Sequence, residues 1–248
     1  MVVSDLLLIN ANTNAIALDK KTGNLVWSIT DEVPPGSWGS YATAVVRDST
    51  VALFMGPSML NAVEVGSGKL LWSYDHGDRM HPAADPIVIG NRVFVSLPDW
   101  CGLLDITEAG PEQIWSSTAL VSFTTPVLVG WYLYGSPSFE HYVMSWSGYR
   151  RLDWSFRCLS VETGTVMWEK SMGMASLIAA DEKLIILEID GTLRIAKATP
   201  SSYRELSSAD VLGGEKQQRL FATLPVLYDG KIYCRNYSGD LICVDVSK

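Results

Sequence analysis

The segment Ala17-Leu18-Asp19-Lys20-Lys21-Thr22-Gly23-Asn24-Leu25-Val26-Trp27 returns as Ala62-Val63-Glu64-Val65-Gly66-Ser67-Gly68-Lys69-Leu70-Leu71-Trp72 and again as Cys158-Leu159-Ser160-Val161-Glu162-Thr163-Gly164-Thr165-Val166-Met167-Trp168. Weaker copies run from Leu103-Leu104-Asp105 to Trp115 and from Arg194-Ile195-Ala196 to Leu206, where the Trp is lost. A last copy is Cys243-Val244-Asp245. The Asp19 position thus recurs at 64, 105, 160, 196 and 245, a period of about 45 residues, the length of a propeller blade.

Around each motif the pattern is strand, turn, strand, turn, strand, Thr-Gly turn, strand. Residues 42–47, 51–55, 60–64 and 70–74 show it in the second unit. Such a meander is apolar on both faces and cannot stand alone, so copies stack radially and cover one another. The expected fold class is all-β, a β-propeller of four-stranded antiparallel blades with six repeats present. They fall at about residues 1–30, 40–75, 82–118, 122–171, 174–212 and 219–248 of a single domain 1–248. Composition agrees: 48% of residues are hydrophobic, with 9 Trp and 10 Tyr, side chains that pack well on a pleated surface. The first unit opens with little of its innermost strand and the last stops before its outermost. The expectation is therefore an N-terminally truncated part of a propeller of seven or eight blades. Because a Trp repeated in blade after blade marks architecture, it reads as a wedge between blades and not as a cofactor platform.

These motifs resemble the PQQ-type propeller repeat, found in quinoprotein alcohol dehydrogenases and in the propeller lipoprotein of the outer-membrane β-barrel assembly machinery. The resemblance covers the whole chain and implies a periplasmic or exported protein. It implies two functions: a non-catalytic binding scaffold, or a divergent PQQ-dependent oxidoreductase with PQQ and calcium. The family's quinone site uses adjacent cysteines, and this chain has Cys101 alone in Asp99-Trp100-Cys101-Gly102. The scaffold reading is preferred and no cofactor is expected.

In a meander, alternate loops share a face. The Thr-Gly turns fall on one face with short hairpins such as Gly90-Asn91 and Asp181-Glu182. Every long loop falls on the other, including an insertion over 136–157. Recognition concentrates in long loops on a rigid scaffold, at the mouth of a propeller channel. The candidate ligand-binding residues there are Trp38, Tyr41, His81, Asp85, Trp100, Phe123, Arg219 and Phe221, with Trp146 and Arg150 from the insertion. Aromatic rings and Arg suit a recognition surface. The partner could be protein, peptide, glycan or small molecule, bound by a monomer.

A formal charge of −8 excludes a nucleic-acid partner, which needs clustered Lys and Arg. No apolar run is long enough to span a bilayer. Met1-Val2-Val3-Ser4-Asp5 is not an export signal, so a complete chain would be cytoplasmic. No catalytic residue is assigned, since three His and no Gly-x-Ser-x-Gly elbow leave no hydrolytic set. No metal site is assigned either: His76, Asp78 and His81 match no specific ligand spacing. A two-residue loop at Ser238-Gly239 would set Cys234 opposite Cys243, leaving a cross-strand disulfide and two buried thiols as the alternatives.

Overall fold

The computed structural model describes all residues except 11–14, 30–40, 47–48, 57, 78–83, 98, 108–109, 121, 123, 138–141, 146–147, 152–154, 213–222, 237–238 and 248. Among the described residues every regular element is a strand. The chain divides into two compact units, Met1–Thr125 and Pro126–Lys248.

The first unit holds three four-stranded antiparallel sheets. They are β1 (Val2–Val3), β2 (Leu6–Asn10), β3 (Ala15–Asp19) and β4 (Leu25–Ser28); β5 (Tyr41–Val46), β6 (Ser49–Met55), β7 (Met59–Glu64) and β8 (Leu70–Asp75); and β9 (Ile87–Ile89), β10 (Arg92–Ser96), β11 (Cys101–Thr107) and β12 (Gly110–Ser117). The second unit begins with β13 (Val127–Val129) and β14 (Tyr132–Gly135). A separate hairpin follows, β15 (Tyr142–Ser145) and β16 (Gly148–Arg151), before β17 (Ser155–Ser160) and β18 (Val166–Ser171) complete the sheet in the order β13-β14-β17-β18. Next come β19 (Ala175–Ala180), β20 (Lys183–Glu188), β21 (Thr192–Lys197) and β22 (Arg204–Asp210), then a three-stranded sheet of β23 (Val226–Tyr228), β24 (Lys231–Arg235) and β25 (Leu241–Asp245). The insertion therefore spans 136–154, because Ser155 to Arg157 already belong to β17.

Each sheet is apolar on both faces, as the repeat demanded. Along β6, Val51, Leu53 and Met55 pack with Val93, Val95 and Leu97 of the third sheet, while Ala52 and Phe54 pack with Leu8, Ala17 and Trp27 of the first. Along β20, Leu184 and Ile186 join Tyr134, Phe156 and Cys158, and Ile185 and Leu187 join Ile232 and Cys234. Strand alternation turns one run of apolar residues into two seams.

The Trp is the wedge. Trp27 is buried and its indole Nε1–H donates to the Val65 carbonyl of the second sheet at 2.9 Å. Trp168 donates likewise to the Thr199 carbonyl of the next sheet at 2.7 Å. A β-bulge just before the Trp aims it there: the register slips between Ala17 and Leu18, Ala62 and Val63, Leu103 and Leu104, Cys158 and Leu159, and Ile195 and Ala196, and a bulge re-aims the following side chain. This register corrects the fifth repeat. Ile195 pairs with Ser207, as Ala17 pairs with Trp27, and Leu206 is the bulged residue. The Asp19 position is accordingly Lys197, which pairs with Lys183 as Asp19 pairs with Leu6. The longer β21–β22 connection hides this shift when spacing alone is counted.

The Cys234–Cys243 expectation is also corrected. Cys234 pairs with Ile242, and Cys243 pairs with Tyr233. The loop spans 236–240, held by Asn236 N–H donating to the Asp240 carbonyl at 3.1 Å and Gly239 N–H to the Asn236 carbonyl at 3.2 Å. A one-residue slip sends the two side chains to opposite faces. Both cysteines are free, Cys234 buried and Cys243 exposed.

Candidate functional site

The two ends of each blade are built differently. At one end the Asp-x-x-Thr-Gly turn closes on itself: the Asp19 carboxylate accepts from the backbone N–H of Lys21 (3.0 Å) and Thr22 (2.7 Å) and from the Thr22 hydroxyl. These bonds hold the Asp19 pKa below its ordinary value. The residue after each Asp19 position then ties this turn to the β-turn beside it. The N–H groups of Lys20, Val65, Ile106, Val161, Ala198 and Val246 donate to the carbonyls of Asp5, Thr50, Asn91, Trp131, Glu182 and Gly230. One bond in each of the six blades puts both turns on one end. Gly68 shows how tight it is. At φ +70° it lies so near Trp27 that a Cβ would sit 2.5 Å from the ring.

The opposite end carries the long loops. Of the candidate residues, Trp38, His81, Phe123, Trp146, Arg219 and Phe221 lie outside the described residues. Tyr41 opens β5 opposite Phe54, and Arg150 sits in β16 opposite Val143. Asp85 is half-buried just before β9, and its N–H donates to the Thr125 hydroxyl at 2.9 Å. Around it the Ser96 hydroxyl donates to the Leu120 carbonyl (2.7 Å) and accepts from the Ser122 N–H (3.0 Å), and Ser122 and Thr124 share a hydroxyl bond at 3.0 Å. Ser96 and Ser122 are buried, so these bonds tie the residues that follow β12 back to the third sheet. Trp100, in the β10–β11 loop at the same end, packs against the seam of the second and third sheets and stacks on Tyr74, with ring centroids 6.4 Å apart. On its other side a Cβ at Gly102 would lie 2.5 Å from its ring.

In the second unit the long-loop end contains a buried ion pair that the repeat pattern does not reveal. Glu188, at the end of β20, accepts from Arg194 Nε and, at 2.6 Å, from the Gly173 N–H. Arg194 reaches Glu205 at 2.9 Å, and the Tyr203 hydroxyl donates to the same carboxylate at 3.0 Å. Burial works to lower the Arg194 pKa, but its bonds to the two carboxylates raise it overall. Burial also acts to raise the Glu205 pKa, and the bonds from Ser208, Arg194 and Tyr203 bring it below its ordinary value. The clue in the sequence is an acid closing the apolar run Leu184-Ile185-Ile186-Leu187, where the third sheet has Leu97. Beside it, the Ser176 hydroxyl donates to the Thr223 carbonyl at 2.9 Å.

The buried thiols are chemically quiet. Burial pushes the Cys158 pKa up to about 11 and raises that of Cys234, so both are protonated at neutral pH. Cys101 is buried, and its S–H points at the Ser117 carbonyl at 3.2 Å. Among the described residues, no three His, Cys, Asp or Glu side chains are grouped to hold a metal ion. No described helix is long and apolar enough to cross a membrane.

Residues 1–170 match the family model of the outer membrane protein assembly factor BamB. The chain belongs to the BamB family. The crystal structure of BamB from Moraxella catarrhalis superposes with a TM-score of 0.70 at 16% identity, over 98% of this chain and 70% of that one. The quinohemoprotein alcohol dehydrogenase from Comamonas testosteroni gives 0.61 at 13% identity, covering 94% and 50%. A europium-containing methanol dehydrogenase gives 0.59 at 10% identity, covering 87% and 52%. Comparison with curated proteins gives no match. These likenesses establish the fold, a β-propeller of PQQ-type blades shared by BamB and the quinoproteins.

Proposed function

We propose that this protein is a non-catalytic scaffold of outer-membrane protein assembly, acting in the periplasm and holding a protein partner on its long-loop end. Membership of the BamB family is the observation that carries this reading. The two ends of the blades support it, since the Thr-Gly end is built from short turns bonded to one another and the other end carries the long loops. The binding residues in this reading are Trp38, Tyr41, His81, Asp85 and Phe123 in the first unit and, in the second, Trp146 and Arg150 of the hairpin insertion with Arg219 and Phe221.

The PQQ-dependent oxidoreductase is the second reading, favoured by the two dehydrogenase superpositions. The described residues do not fit the quinone. The ring of Trp100, a candidate ligand-binding residue, stacks on Tyr74 and lies close against Gly102, and Cys101 has no neighbouring cysteine.

The test is binding of the purified protein to the periplasmic segments of an outer-membrane assembly complex, measured by calorimetry. Trp146→Ala and Arg150→Ala are each expected to weaken binding by about tenfold, the scale of an interface anchor, with the melting temperature unchanged. A quinone absorbance band retained after incubation with PQQ and Ca²⁺ would overturn the scaffold reading.

A further inference from the structure

The fifth sheet, β19 to β22, departs from the repeat at the position of Asp19, Glu64, Asp105, Ser160 and Asp245, where it has Lys197. The ladder sets Lys197 directly opposite Lys183 on one side and directly opposite Arg204 on the other. Residues directly opposite one another in antiparallel strands share a face, so three cations stand in one row across β20, β21 and β22. Strand spacing makes the row about 10 Å wide. In other sheets a base in this row meets an acid: Arg92 is opposite Asp105, and Lys231 is opposite Asp245. The basic row is invisible along the sequence, because its members are far apart until the sheet forms.

Lys183, Lys197 and Arg204 are all exposed, and among the described residues none of them makes an ion pair. Lys183 Nζ donates to a backbone oxygen, the Asp181 carbonyl, at 3.5 Å. Asp181 and Glu182 are exposed in the turn before Lys183, and Glu205, the acid beside Arg204, is held by Arg194. Like charges directly opposite one another destabilise a sheet, so the row is kept at a cost to folding. A following sheet does not close these positions. In the first, second and fourth sheets, each packed against the next, the residues at the Arg204 position, Asn24, Lys69 and Thr165, are exposed, and those at the Lys197 position, Asp19, Glu64 and Ser160, are partly exposed. Residues 198–203 join Lys197 to Arg204 and add the exposed Ser201 and Ser202 beside the row.

We propose that the Thr-Gly end of the fifth sheet is a phosphate-binding site, its phosphate carried by a lipid headgroup or free in solution, with Lys183, Lys197 and Arg204 as the cations that hold it. A phosphate has oxygens enough for several separate donors, and Lys, Arg and Ser are the side chains that contact it in other complexes. A carboxylate has two oxygens, which one Arg fills in bidentate fashion. A bound phosphate offsets the repulsion along the row. The site lies at the opposite end of the sheet from the long loops and acts apart from them.

Lys197→Asp and Lys197→Gln in the 248-residue chain test it, and circular dichroism checks that each keeps its fold. Lys197→Asp puts an acid back between two bases, so its urea midpoint in chloride is expected to exceed that of the wild type. At equal ionic strength, inorganic phosphate in place of chloride is expected to raise the wild-type midpoint by more than that of Lys197→Asp, because a ligand that binds the folded chain stabilises it. Vesicles containing phosphatidylglycerol then separate the two sources. Sedimentation of the wild type with them, weakened about fivefold in Lys197→Gln by the loss of one charge, assigns the site to a headgroup, and a phosphate effect without vesicle binding assigns it to free phosphate. An equal rise in wild type and Lys197→Asp, or a wild-type excess that glutamate produces as fully as phosphate, overturns the proposal.

Discussion

Gly23 and Gly68 occupy the same place in the Thr-Gly turn, with φ +74° and +70°, yet a Cβ at Gly23 would meet nothing within 4 Å while one at Gly68 would strike the Trp27 ring. Replacing each with Ala separates backbone strain from packing across a seam. Gly23→Ala adds the left-handed conformation alone, worth about 1 kcal/mol after the entropy lost from the unfolded chain is credited. Gly68→Ala adds the same strain plus overpacking against a buried indole whose Nε1–H is tied to Val65. Overpacking of that kind costs about 2 kcal/mol more, so the loss should be about 3. Trp27→Ala should cost about 4 kcal/mol through its cavity and the carbonyl left without a donor. In the double variant the clash has gone, and Gly68→Ala should again cost about 1, which makes the coupling about 2 kcal/mol. Urea unfolding followed by far-ultraviolet circular dichroism gives all four values. Costs at Gly68 and Trp27 that add within about 0.5 kcal/mol, the figure for independent sites, would refute the wedge.

Other consequences can be measured on the same footing. Glu182 sits at φ +57° between β19 and β20, so Glu182→Gly should raise stability by about 1 kcal/mol, seen as a higher urea midpoint. Arg194→Met strands the Glu188 carboxylate in the interior with only the Gly173 N–H and should cost about 3 kcal/mol, seen as a lower urea midpoint. The Glu205 pKa is lowered in the folded state, so its contribution is complete above the ordinary glutamate pKa and is lost as pH falls through the lower folded value. Glu205→Gln should flatten that part of the acid limb in a series of urea midpoints against pH. Ellman's reagent should modify Cys243 quickly in the native protein, and Cys101, Cys158 and Cys234 only on unfolding, because burial shields these thiols from the reagent. Rapid modification of two thiols would mean that the last sheet opens.

Much of the fold was legible because its signals are local. The alternation along Val51 to Met55, the turn chemistry of Asp19 and Thr22, and the recurrence of Trp at a fixed offset from Gly all follow from neighbours in sequence. Errors came where an extra residue enters without a mark. In the fifth repeat a longer connection moved the motif from Ala196 to Lys197, and at β24–β25 a longer loop displaced Cys243 by one. The site was less legible. Trp100 and Asp85 looked alike as loop residues of one end, and their partners differ: Trp100 packs against a seam, and the Asp85 N–H bonds to the Thr125 hydroxyl. The Glu188–Arg194–Glu205 network gave almost no signal, because its members lie on three strands and meet only once the sheet has formed.

By itself the sequence determined that the chain is a stack of four-stranded blades, since a meander apolar on both faces has no other way to bury them. It also determined which end of each blade is consumed by turns, because the Asp-x-x-Thr-Gly hydrogen bonds close within a few residues. Tertiary structure alone decided which face each side chain serves. One bulge or one extra loop residue reverses inside and outside along a strand, and that is why Cys234 is buried and Cys243 is exposed.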